Sequence, residues 1–108
     1  MAGEGSKMTV YWISFRINND PGRAERLYAL TKAIHAYKKR YWDRTESFVL
    51  FESVHSMDFL VDVFKGHLNP RTDLFLLREL DSPSAVIFGL NTDPDLLALM
   101  PYCRVIAG

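Results

Sequence analysis

Between Thr9 and Ile17 the chain alternates strictly. Tyr11, Ile13, Phe15 and Ile17 take one side of an extended segment, and Val10, Trp12, Ser14 and Arg16 take the other. The period then changes. Past Asp20-Pro21-Gly22, the apolar residues Leu27, Leu30, Ile34, Tyr37 and Tyr41 recur every three or four positions, as one stripe of a helix. A strand that runs straight into a one-sided helix leaves few folds open, because the stripe must be laid back on the sheet to which the strand belongs. Asp20 suits the helix N-cap and Pro21 its first turn.

The remaining pattern supplies partners for that unit. Phe48-Val49-Leu50-Phe51 reads as a second strand, apolar on both sides. Ser56 caps a predicted helix over 57–67 carrying Leu60, Val63 and Phe64, with Asp58 favourably placed in its first turn and Asn69-Pro70 beyond its end. Residues 73–80 form a third strand, Asp81-Ser82-Pro83-Ser84 a turn, and 85–90 a fourth strand closing a hairpin. A short helix follows from Pro94 to Met100, and 102–106 reads as a possible last edge strand. The expected fold class is α+β: a ferredoxin-like four-stranded antiparallel sheet built from 9–17, 47–53, 73–80 and 85–90. Both main helices lie on one of its faces.

A chain of 108 residues supports one core, assigned to a single domain over 8–108, with the small and polar residues 1–7 as a disordered lead. Formal net charge is zero, so bulk electrostatics do not favour nucleic acid or an anionic membrane. The charge is nevertheless segregated. Eight basic residues and three acids lie between Arg16 and Arg44, and the rest of the chain carries the balancing negative charge. A lone cysteine, Cys103, excludes an intrachain disulfide and fits a reducing compartment. No run is apolar enough to span a bilayer and no secretory leader is visible, so a cytoplasmic protein without membrane contact is expected.

One face of the expected sheet lacks helices, and strand one offers it Val10 and Trp12. An apolar face of that kind calls for a cover. A homodimer packed through Val10 and Trp12 is the expectation, with 102–106 available to extend the partner's sheet edge.

Chemistry-bearing residues are sparse. Arg16 ends strand one beside a helix start, where its planar fork, with Asn18 and Asn19, suits an anion; the competing reading pairs Arg16 with Glu79 or Asp20. Asp20 is foremost a cap and secondarily a metal carboxylate. Glu52 and His55 end strand two and could form an acid–base pair. Asp58 and Asp62 read as the wet side of their helix. His35, His55 and His67 are too scattered for a metal signature, so no metal site is assigned. Tyr11, Trp12 and Phe15 could make an aromatic platform for single-stranded RNA, but the strands carry few basic residues beside it.

Three stretches carry a family resemblance. Phe15-Arg16-Ile17-Asn18 with Pro21-Gly22, Trp42 with Glu46-Ser47-Phe48-Val49-Leu50, and His67-Leu68-Asn69 with Asp73-Leu74-Phe75-Leu76 resemble the corresponding segments of small SinR-like proteins. These are similar in turn to the small CRISPR-associated subunit that acts as a metal-dependent nuclease or as a scaffold in spacer integration. The resemblance implies a ferredoxin-like fold, sheet-packed dimers and a metal-binding aspartate at the end of strand one. Arg16 stands at that position, and a guanidinium cannot replace a magnesium-binding carboxylate. The expected function is therefore a dimeric, non-catalytic interaction protein, associated with nucleic acid and free of cofactors. The alternative is a magnesium-dependent ribonuclease with a relocated carboxylate such as Asp20.

Overall fold

A computed structural model describes residues 8–81, 85–88 and 92–106; the lead over 1–7 lies outside the described residues. The elements run β1 (Thr9–Arg16), α1 (Arg23–Tyr37), β2 (Tyr41–Trp42), β3 (Phe48–Ser53), α2 (Met57–Lys65) and β4 (Leu74–Glu79). After them come β5 (Val86–Phe88), α3 (Asp95–Leu99) and β6 (Arg104–Ile106). The first four strands form one antiparallel sheet in the order β2-β3-β1-β4. Strand–helix–strand–strand–helix–strand with that order is the ferredoxin-like topology.

Alternation on β1 sorts the molecule into two cores. Tyr11, Ile13 and Ile17 join Phe51 of β3 beneath Leu30, Ala33 and Ile34 of α1 and Leu60 and Phe64 of α2. Both helices therefore lie on one sheet face, as the stripes demanded. Ser56 caps α2, its hydroxyl accepting from the Phe59 amide at 3.2 Å.

Three expectations need correction. The first helix ends at Tyr37, because Lys38 turns extended (φ −90°, ψ 157°), and Tyr41 and Trp42 pair with Phe51 and Leu50 as the edge strand β2. Tyr41 prolonged the helical spacing by coincidence. Second, β5 is not the fourth strand of the main sheet: it pairs in parallel with β6, Val86 opposite Arg104 and Ile87 opposite Val105. Parallel pairing needs a crossover, and α3 supplies it; the turn assigned at 82–84 lies outside the described residues.

The third correction concerns the open face. Val10 and Trp12 pack against a second cluster of Trp42, Leu50, Leu96 and Leu99, together with Ile87, Met100 and Cys103. The chain's own C-terminal segment packs over these two residues and leaves both half-buried. What stays bare is the other end of the face. Ser14 and Arg16 are exposed there opposite Leu76 and Leu74, whose exposures are 59% and 56%.

Candidate functional site

Where β1 ends, the chain builds a compact polar knot. Asp20 does not cap α1, which begins at Arg23 behind Gly22 with no side-chain cap. Its carboxylate instead accepts from the Gly22 amide (3.0 Å), from Nδ2 of Asn18 (2.9 Å), and from Nη1 (3.0 Å) and Nη2 (2.9 Å) of Arg26. Arg26 turns its remaining Nε to Asp73 Oδ2 at 2.8 Å. Asp73, with a wholly buried side chain, also accepts from the amides of Asn18 (2.9 Å) and Asn69 (2.8 Å). One guanidinium thus joins the β1–α1 loop, α1 and the approach to β4.

These contacts fix the charges. Hydrogen bonds from Arg26, then from Asn18, bring the Asp20 carboxyl down to about 2. Burial alone would raise that of Asp73, but the Asn69 and Asn18 amides and Arg26 together hold it well below the usual carboxylate range. The Arg26 guanidinium is pushed above its ordinary value by the hydrogen bonds it donates to Asp20 and then to Asp73.

The same geometry tests magnesium. The two carboxylates at the strand end already share a fixed cation, and among the described residues no group of three or more His, Cys, Asp or Glu is placed to hold a metal ion. Oxygens committed to a bidentate guanidinium fit a divalent ion poorly. Asp20 as a relocated metal ligand is therefore not supported by its surroundings.

Arg16 stands apart from the knot. It is exposed, and its side chain makes no hydrogen bond or ion pair with a described residue. Within the chain it does not pair with Asp20 or Glu79: Arg26 occupies Asp20, and Glu79 lies opposite Tyr11 at the far end of β4. With Asn18, Asn19, Arg23 and Thr72, Arg16 lines an open hollow of about 470 Å³. Arg23 donates its Nε to the Ile17 carbonyl at 3.1 Å, which steadies the side chain and leaves both of its terminal nitrogens for a ligand.

Glu52 and His55 are not brought together. Glu52 lies opposite Val10, on the face covered by the C-terminal segment, and its carboxylate is 3.8 Å from Arg40. His55 stacks on Phe59 with centroids 4.5 Å apart and meets Tyr37 edge-on, beside the helices, while its carbonyl accepts from the Tyr11 hydroxyl. The aromatic platform is also divided. Tyr11 and Phe15 belong to the helix-side core, and Trp12 to the tail-side cluster.

Arg26, Asp73 and Arg23 escaped the sequence reading as site residues. Asn69-Pro70 before Asp73 does signal a turn in which the aspartate can collect amides, but nothing local shows that Arg26 reaches it across 47 positions.

No protein-family model matches the chain, and no curated protein matches it. Among solved structures, Cas2 of Streptococcus pyogenes is similar at 20% identity with a TM-score of 0.49, over 67% of this chain and 86% of that one. A hypothetical protein from Thermus thermophilus is similar at 18% identity with the same TM-score, over 70% and 85%.

Proposed function

We propose that this chain is a non-catalytic interaction protein of the SinR-like kind, working as a homodimer and holding phosphate groups of nucleic acid at the end of β1. The carrying observation is the exposed Arg16, unpaired among the described residues, beside the half-free Arg23 in a hollow rimmed by Asn18 and Asn19. A planar guanidinium with open donors suits a phosphate oxygen pair. Holding is favoured over cutting because the nearby carboxylates, Asp20 and Asp73, are spent on Arg26.

Two phosphate contacts set the expected effect. Arg16→Ala with Arg23→Ala lowers the affinity for single-stranded RNA at low salt by roughly tenfold or more, and flattens the salt dependence by about 0.7 per contact removed. Fluorescence anisotropy across a salt series reads both quantities; an unchanged slope in the double variant counts against the site. Incubation with magnesium leaves the RNA intact. Cleavage that disappears in Asp20→Ala would restore the ribonuclease alternative.

Leu74 and Leu76 support the homodimer, since two exposed leucines sit side by side on the part of the sheet face that the tail leaves bare. Light scattering at micromolar concentration is expected to give the mass of two chains, and of one chain for Leu76→Glu. A single-chain mass for the unaltered protein would remove this part of the proposal.

A further inference from the structure

A second cavity lies on the other side of β1, between α1 and the loop that joins β2 to β3. It measures about 160 Å³. Its floor is apolar, made by Phe15, Ile34 and Val49. Its rim carries His35 from α1 and Asp43, Thr45 and Ser47 from the loop. The fold leaves these rim side chains unspent: none of the four makes a hydrogen bond or ion pair with a described residue. His35 is steadied instead by edge-on contact with Tyr41, centroids 4.8 Å apart, and Lys38 caps the Tyr41 ring at 4.9 Å. Ser47 sits at φ 56°, a left-handed conformation uncommon for serine, and its carbonyl accepts from the Phe15 amide at 3.0 Å. The loop is thereby tied to the end of β1, the strand that also carries Arg16.

We infer that this cavity takes a single pyrimidine ring bearing an amino group, that is, the base of a cytidine. Size and charge each narrow the choice. Sites for drug-sized molecules run to roughly 300–1,000 Å³, so this one admits a single flat ring. An apolar floor suits the faces of such a ring, and a rim of hydroxyls suits its polar edge. Asp43 then selects among rings. A carboxylate only accepts, so it meets the exocyclic amine of cytosine as a partner and the O4 carbonyl of uracil or thymine as a second acceptor.

The inference deepens the nucleic-acid reading, since a strand held by its phosphates at Arg16 and Arg23 would supply the base, whereas free cytidine addresses the cavity alone. Anisotropy compares oligocytidylate with oligouridylate, and amide NMR follows titration with cytidine and uridine. The expected preference for oligocytidylate is about tenfold. Asp43→Asn erases it by raising oligouridylate binding toward that of oligocytidylate, because an amide can turn either a donor or an acceptor to the ring. Arg16→Ala with Arg23→Ala weakens both strands alike, which separates the two sites. Equal binding of the two strands by the unaltered protein overturns the inference. Should neither strand bind, the phosphate reading falls and the titration decides the cavity: shifts at His35 and Thr45 with cytidine but not uridine uphold it, and no shifts overturn it.

Discussion

Arg26→Met is expected to lower the thermal midpoint by on the order of 10 °C or more, the largest effect of any single change near the candidate site. Methionine keeps the length and apolar stem of the side chain but removes the charge. Asp73 would then be left with a fully buried carboxylate facing only the Asn18 and Asn69 amides and the Thr72 hydroxyl, and Asp20 would lose two of its hydrogen bonds. Lysine is no substitute. A single ammonium cannot repeat a fork that serves two carboxylates at once, so Arg26→Lys should recover only part of the loss. The control is the paired variant Arg26→Met with Asp73→Asn, which removes the stranded charge and should be more stable than Arg26→Met alone.

Acid titration checks the same network. Both carboxyls have folded-state values below the unfolded value of about 3.9, Asp20 at about 2 and Asp73 lower. The folded form therefore binds fewer protons than the unfolded one in this range. The stability they contribute is complete above about pH 4 and drains away as pH falls through 2. Thermal midpoints of the unaltered chain should fall steeply below pH 4, and Arg26→Met should show a shallower decline. Parallel curves for the two proteins would mean that the knot is not what resists acid.

How much of this was legible from residues alone depends on the range over which each signal acts. The alternation of 9–17 and the stripe from Leu27 to Ile34 are local, and they correctly placed β1, α1 and the buried face between them. Ser56 announced α2 because a cap and its first turn are neighbours in sequence. Tyr41 misled for the opposite reason: four residues past Tyr37 it fits a helix, and only pairing with Phe51 makes it a strand. The turn at 81–84 suggested a hairpin, but the partner of β5 comes after α3, and no local pattern names it. Arg16 was legible as a site because it ends a strand beside a loop. Its freedom was not, because that follows from Arg26 having claimed Asp20. Arg26 gave no local sign of its role, because one of the two carboxylates it joins lies 47 positions further along the chain.

Introducing a charge under the C-terminal segment should produce the second large effect. Leu96 and Leu99 of α3 are almost fully buried, and they close over Val10, Trp12, Trp42 and Leu50. Truncating a leucine in such a site to alanine costs about 2–5 kcal/mol. A charged side chain there must either be desolvated or drive the segment off. Leu96→Asp is expected to take the second course: the Arg44–Asp93 ion pair at 3.2 Å engages an arginine that is largely exposed, and such pairs contribute little against a charge placed in the apolar cluster. The readout is built in. Trp12 and Trp42 are the chain's two tryptophans, and both belong to the cluster under the tail. Undocking moves them into water, so their emission should shift to the red while the helical circular dichroism of α1 and α2 persists, since those helices pack on the opposite face. The bared face would join Leu74 and Leu76 in one apolar surface, and self-association beyond a pair should follow. Unchanged tryptophan emission in Leu96→Asp would show that the tail is held by something other than this cluster.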